Sequence, residues 1–359
     1  MAGLLGALGA GLLLELGGQV HAARNPAWDV VAWEPDPGLG WRLVPGLRFT
    51  WAGHEWYARD YAVEVTVNAL GFRDRERRLE PAPGALRVAL LGDSFLEGIQ
   101  VPLEATCAQR LEARLGARHA GAEVLNLAVS NWGVGQALLC WEQVARRGRP
   151  DWVVVLVAER QMARTVRADV PGRFGASQGQ TLAIRPVFRR RGWALEREPP
   201  RDLDRLRALQ EEVIADELGG ARVRRRGPRP FLLPRLRDGL LRLLEPATPS
   251  TPGPEIDGET WEVNRLVLAS LARQVREAGA RLVVMDACAW FNPGGATFSS
   301  ALAELCAQER ALRLDLSSAL EAAEARGESL LWAHDAHWTP AGHEAAAAAL
   351  DELLRAEGS

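Results

Sequence analysis

Two short stretches carry the residue types that nucleophilic acyl chemistry needs. Leu90 to Gly98 reads LLGDSFLEG, an apolar run passing into Gly92-Asp93-Ser94 just before a helical segment. A serine at the carboxyl end of a parallel strand sits where open α/β sheets bind ligands. A helix N-terminus close by offers backbone N–H groups to an anion. Gly-Asp-Ser is also ordinary turn chemistry. The second stretch is His334-Asp-Ala-His-Trp-Thr-Pro-Ala-Gly-His343. A serine hydroxyl is a poor nucleophile until a base takes its proton, and the base needs an orienting partner. Asp335 and His337, two residues apart before a Pro-initiated helix, can lie together in an extended loop with His337 presented to Ser94. Two other readings stand beside this one. The loop could be solvated, with an aspartate or threonine capping the helix, or His334, Asp335, His337 and His343 could bind a metal. No second ligand cluster completes a recognised zinc pattern.

The elements that must position these residues follow from hydrophobic patterning. Leu86 to Leu91, Glu123 to Val129, Trp152 to Ala158, Arg281 to Met285 and Leu312 to Leu316 are short, mostly apolar runs of strand length. Such runs suit strands buried on both faces, as in parallel sheets covered by helices. Between them, Leu103, Cys107, Leu111 and Leu115 recur every four residues and place one apolar stripe on a helix. Trp261 to Ala278 and Ala341 to Leu354 have similar faces. Alternating β and α units predict a three-layer α/β fold. Ahead of it, Asp29 to Arg78 reads as a strand-and-turn lead-in that ends in Asn68-Ala-Leu-Gly-Phe-Arg-Asp74. A long excursion, from about Arg164 to Gly258, separates the third and fourth strands and contains the breaker-rich Pro246 to Pro254.

With 359 residues and 39.2 kDa, the chain has room for two domains or for one with large insertions. Its 47% apolar content excludes a disordered chain, and a net charge of −3 gives no global case for nucleic acid. All 43 basic residues are arginine, which excludes lysine Schiff-base chemistry and a P-loop lysine. The arginines are uneven: from Arg185 to Arg242 there are 16, against 9 acidic residues. Within that span Phe231 to Leu244 forms a basic amphipathic helical pattern, suited to docking on the main domain or to an anionic surface. Cys107, Cys140, Cys288 and Cys306 show no CxxC or framework spacing and fit buried thiols. Ala2 to Gly18 is apolar apart from Glu15, but too short for an ordinary span and without a basic leader. A short membrane anchor, a signal-like segment or a buried helix each fits it.

The ordered set GDSF, NLAVSNWGVGQ and DAHWTPAGH resembles the SGNH (GDSL-type) esterase superfamily. The preceding NALGFRD is similar to bacterial members that carry an N-terminal membrane segment. The resemblance covers roughly Asn68 to Ala163 and Thr260 to Leu354. It implies a flavodoxin-like three-layer sandwich with a parallel sheet of about five strands, plus the lead-in and a long helical insertion. It also implies Ser94 as nucleophile, His337 as general base and Asp335 as its orienter. The Ser94 N–H would be one oxyanion donor. The family's glycine donor is replaced by Asn131, with Gly133 close by as a fallback donor. The asparagine that usually follows the third strand is absent from Val157-Ala-Glu-Arg-Gln-Met162, leaving Arg160, Gln161 or the Asn131 amide as side-chain donors. Losing one such donor costs about 10²–10³ in rate.

These expectations divide the chain into a candidate anchor or signal-like segment (1–24), the lead-in (25–84), a first part of the hydrolase core (85–163), an Arg-rich insertion and linker (164–258) and a second part of the core (259–359). The expected activity is serine-dependent hydrolysis of a small acyl ester, an O-acetylated glycan among the candidates, needing no metal or organic cofactor. Transfer of the acyl group to a sugar hydroxyl and a non-catalytic binding role are the rival classes. No nucleic-acid partner is expected. Membrane association through the N-terminal segment would place the protein in the bacterial cell envelope, with the cytoplasm as the other compartment open to it. Trp132, Trp290, Trp332 and Trp338, all near these motifs, fit core packing or an aromatic wall of a pocket.

Overall fold

A computed structural model describes residues 10–20, 28–53, 60–171, 181–225, 256–292 and 296–358. The amphipathic segment Phe231 to Leu244 and the linker Pro246 to Pro254 lie outside the described residues. The lead-in contributes five short strands: β1 (Trp28–Val30), β2 (Trp33–Asp36), β3 (Gly40–Leu43), β4 (Arg48–Ala52) and β5 (Ala62–Thr66). Then come β6 (Arg87–Leu91), β7 (Glu123–Asn126) and β8 (Trp152–Val157). The insertion adds β9 (Asp169–Pro171), β10 (Thr181–Ala183), β11 (Val187–Arg191), β12 (Ala194–Glu198) and β13 (Val223–Arg225), with a helix at Leu203–Glu212. The chain returns to the core with β14 (Arg281–Asp286) and β15 (Leu312–Asp315).

The central sheet has the order β15-β14-β8-β6-β7, with every neighbouring pair parallel. This is a flavodoxin-like doubly wound sheet, and the strand order reverses at the crevice between β6 and β8. The apolar character of β8 (WVVVLV) follows from its central place, with all six residues buried. Its side chains alternate between two cores. Val153, Val155 and Val157 join one core with α3 (Val134–Gln143), α5 (Gly258–Glu277) and α6 (Ala296–Glu309). Trp152, Val154 and Leu156 join the other with α2 (Cys107–Gly116), α7 (Leu316–Ala325) and α8 (Pro340–Glu357). Two further short helices, α1 (Ser94–Glu97) and α4 (Glu159–Thr165), leave the carboxyl ends of β6 and β8.

The lead-in and insertion pack as antiparallel pairs: β2 with β3, β4 with β5, β9 with β10 and β11 with β12. One pair joins the two regions, because β1 pairs with β13. Residues 10–20 are helical, with Leu12, Leu13, Leu14 and Leu16 exposed. Among the described residues no helix is long and apolar enough to cross a membrane. All four cysteines are buried and free.

Candidate active site

Ser94 stands at the first position of α1, directly beyond β6. Asp93 is the N-cap, and its side chain accepts from the Phe95 N–H. The other Asp93 oxygen meets Arg164 of α4 at 2.9 Å, so this wholly buried carboxylate is paired. Gly98 ends the helix in the left-handed region (φ 66°), which glycine enters without strain. A side chain there would also run into the His343 ring, 2.9 Å away.

His337 approaches from the loop before α8. Thr339 caps that helix through Gly342 N–H, and Pro340 occupies its first turn. The loop is pinned on both sides: Trp332 N–H donates to the His337 carbonyl, and Thr339 N–H to that of Leu330. The His337 Nε2 atom lies 2.9 Å from Ser94 Oγ. Its Nδ1 atom meets Asp335 Oδ1. An ionised carboxylate only accepts, so Nδ1 carries the proton and Nε2 is the acceptor for the serine hydroxyl. The tautomer is therefore set by Asp335.

Three residues of the lead-in complete this side of the site, and of them only Arg73 lies in a motif the sequence displayed. The Tyr61 hydroxyl donates to Asp335 Oδ2, the oxygen that His337 leaves free. Burial, followed by the Asp335 carboxylate, raises the pKa of the Tyr61 phenol, so it stays a donor. Asp60 holds the loop one step earlier, taking the His334 N–H at 2.7 Å and facing its ring Nδ1 at 3.0 Å. Arg73, from the NALGFRD segment, donates beneath α1 to the carbonyls of Gly98, Val101 and Glu97. Burial brings its pKa down to about 10, against the pull of Glu97.

Glu97 is fully buried one turn beyond Ser94, and its carboxylate accepts from the Ser130 hydroxyl. Burial pushes its pKa up to about 7, although the Ser130 hydrogen bonds oppose that shift. Glu97 thereby ties α1, the helix that begins at Ser94, to the turn after β7. In that turn Asn131 has φ 65°, the left-handed region that asparagine tolerates better than most residues. Its carbonyl accepts from Arg185 at 3.2 Å. Arg185 is itself buried, donates to the carbonyls of Arg167 and Asp169, and lies over the Trp41 ring. Trp41 in turn donates its indole N–H to the Ser130 carbonyl. Among the described residues, neither the Ser94 nor the Asn131 backbone N–H has an acceptor.

The remaining sequence candidates fall elsewhere. The Gly133 N–H is spent on the Gln136 side chain at 3.0 Å, as part of the N-terminus of α3. Gly133 is needed for a different reason: a Cβ there would lie 2.9 Å from both the Gln161 carbonyl and Arg164. The Gln161 amide is buried, and neither of its polar atoms has a hydrogen-bond partner. Arg160, the residue before it, instead lies over the rings of Phe95 and Phe291. Asn126 is structural, donating to the carbonyls of Arg73 and Leu96. Trp132 and Trp338 are buried in the two cores, while Trp332 packs at a tilt against Tyr61. His343 does not join the other histidines, because its Nδ1 accepts from the Cys107 N–H in the interior. Among the described residues there is no cluster of three or more potential metal ligands.

A parallel sheet with a hydrogen-bonded Ser–His–Asp chain at its switch point defines an α/β hydrolase-like class of protein. The chain belongs to the GDSL-like lipase/acylhydrolase family, whose model matches residues 90–345. No curated protein matches the sequence. Among solved structures it is similar to TesA, with 13% identity and a TM-score of 0.43 over 75% of this chain and 98% of the other. It is also similar to Axe2, an acetylxylan esterase from Geobacillus stearothermophilus, with 12% identity and a TM-score of 0.41 over 79% and 97% of the two chains. LAE5, an alpha/beta hydrolase enzyme from the metagenome of Lake Arreo, Spain, matches at 13% identity and a TM-score of 0.42 over 78% and 97%.

Proposed function

We propose that the protein is a serine esterase that cleaves small acyl esters through an acyl-enzyme on Ser94. The observation that carries this reading is the Ser94–His337–Asp335 chain, with Ser94 Oγ 2.9 Å from His337 Nε2. Ser94 Oγ attacks the ester carbonyl carbon while His337 Nε2 takes the hydroxyl proton. The oxyanion that forms is held by the Ser94 and Asn131 N–H groups. Collapse breaks the bond to the alcohol oxygen, which leaves with the proton from His337. Water then attacks the acyl-enzyme, gives a proton to His337, and the acid departs as Ser94 Oγ recovers that proton. Asp335 stays ionised throughout and stabilises the imidazolium.

Acylated glycans are the substrate class we favour, and the exposed leucines of residues 10–20 support attachment at the cell envelope. The decisive experiment is labelling with a fluorophosphonate probe alongside turnover of p-nitrophenyl acetate. The native protein should react in both assays, and Ser94→Ala and His337→Ala should fail in both while remaining folded. Absence of labelling and turnover in the native protein would refute the hydrolase reading. Acceleration on adding a sugar acceptor would assign transfer instead of hydrolysis.

A further inference from the structure

Among the described residues, Arg160 is a guanidinium near Ser94 that the surrounding protein leaves without a hydrogen-bond acceptor. It stands on α4, just past the end of β8, across the switch-point crevice from α1. Its Cζ lies 5.6 Å from the centre of the Phe95 ring and 4.7 Å from that of Phe291. Phe95 follows the nucleophile in sequence, and its ring lies 5.1 Å from that of His337. Two aromatic rings, themselves edge-to-face with centroids 4.6 Å apart, therefore hold the guanidinium at the edge of the reaction centre.

Its hydrogen-bonding groups are unspent. Among the described residues Arg160 makes no side-chain hydrogen bond and no ion pair, and its contacts are the two rings. The nearest carboxylate, Asp93, is already engaged by Arg164 at 2.9 Å. Ring faces attract a cation but leave its N–H donors empty. The group is also half-buried, so burial and the neighbouring Arg164 both work against its charge while Asp93 supports it. A cation kept partly dehydrated, aligned and unpaired is ready for an anion arriving from outside.

We infer that Arg160 recognises a carboxylate carried by the ester substrate, so that this esterase is selective for esters bearing an acidic group. The inference rests on the esterase reading of Ser94. Arginine's planar fork matches a carboxylate in a bidentate geometry. A carboxylate is favoured over a phosphate dianion because Arg160 offers a single positive charge, Arg164 being neutralised by Asp93 and Arg185 being committed to buried carbonyls. The third-block position, where related enzymes place an asparagine, would then serve substrate choice, and the oxyanion would rest on backbone donors.

Two matched pairs of esters test this. Mono-p-nitrophenyl glutarate against p-nitrophenyl valerate places the carboxylate on the acyl side; m-acetoxybenzoate against m-acetoxybenzamide places it on the alcohol side. The acidic member of at least one pair should be preferred in kcat/KM by about 10–100-fold, the range expected of a hydrogen-bonded charge pair. Arg160→Met should erase that ratio, and Arg160→Lys should restore part of it. No preference in either pair, or an equal fall for both members of the preferred pair in Arg160→Met, would overturn the inference; the second outcome would mark Arg160 as an oxyanion donor. Calorimetric titration of glutarate into Ser94→Ala, with and without Arg160→Met, separates the two claims. Binding lost with Arg160 supports the carboxylate site even if native protein turns over none of the four esters, which would refute only the esterase reading. Glutarate bound equally by both variants overturns the site.

Discussion

Removal of the Tyr61 hydroxyl tests whether the lead-in takes part in the chemistry of Ser94. The Tyr61 O–H donates to Asp335 Oδ2, while Asp335 Oδ1 faces His337 Nδ1. A hydrogen bond to a charged group is worth about 1.5–3 kcal/mol. The Asp335 side chain is 26% exposed, so water partly replaces the lost donor and the lower end applies. A loss of ~1.4 kcal/mol in the transition state is about tenfold in rate. Tyr61→Phe should therefore lower kcat about tenfold on p-nitrophenyl acetate, with a smaller change in KM, because Tyr61 orients the base and does not touch the substrate. A purely structural role would lower stability without that split, so the thermal midpoint must be measured beside the kinetics. The sharper comparison is a double-mutant cycle with Asp335→Asn. If Tyr61 acts through Asp335, adding Tyr61→Phe to Asp335→Asn should cost little further rate. The same tenfold loss in both backgrounds would refute the coupling, and an unchanged kcat in Tyr61→Phe would refute the role altogether.

Asn131→Gly should keep most of the esterase rate, since glycine accepts φ 65°, whereas Asn131→Val should lower kcat by roughly 10–100-fold through displacement of the backbone donor. Arg164→Met leaves the buried Asp93 charge unpaired and should cost about 3 kcal/mol in denaturant unfolding, with partial recovery when Asp93→Asn is added. Glu97 and His343 should give stability opposite pH slopes. Glu97, raised by burial from 4.5 to about 7, keeps a proton that the unfolded chain loses, so its contribution falls as pH rises through that window, by up to about 1.4 kcal/mol per pH unit. His343, lowered by burial from 6.5 to about 3, stays neutral where the unfolded chain is protonated, so its contribution climbs as pH rises through that window. Unfolding free energies measured across this range should climb in Glu97→Gln and fall in His343→Gln, and parallel profiles in the two variants would contradict the assignment.

The central sheet was legible because its signal is local. Runs such as WVVVLV state their own burial, and all five apolar runs read from the sequence contain strands of the sheet. Ser94, Asp335 and His337 were legible as candidates for a related reason, since each sits in a short motif at a strand end or helix start. The residues that orient them carry no such mark. Tyr61 and Asp60 each act on the His334–His337 loop across 274 residues of sequence, and nothing in the spacing of either partner announces the pair. Glu97 lay in plain view three residues after Ser94. Only the fold shows that the carboxylate turns inward onto Ser130 and away from solvent. The free N–H of Gly133 was a reasonable expectation from its position in the motif. It failed because the Gln136 side chain, one helical turn on, takes that donor for the N-terminus of α3.

The additions to the sheet also explain how the short helix α1 that begins at Ser94 is kept in place. Four residues of α1 cannot be stable by themselves, since an isolated helix needs about 12–15 residues to be even marginal in water. Its position is fixed from outside by Asp93 with Arg164, by Arg73 beneath its last carbonyls and by Glu97 on Ser130. The turn that carries Asn131 is held the same way, by Trp41 from the lead-in and Arg185 from the insertion. These arginines spend their charge on buried carbonyls and carboxylates, so the arginine-rich composition is not simply a basic surface. That is also what isolates Arg160: Arg73, Arg164 and Arg185 each have protein acceptors, and Arg160 has, among the described residues, two aromatic faces.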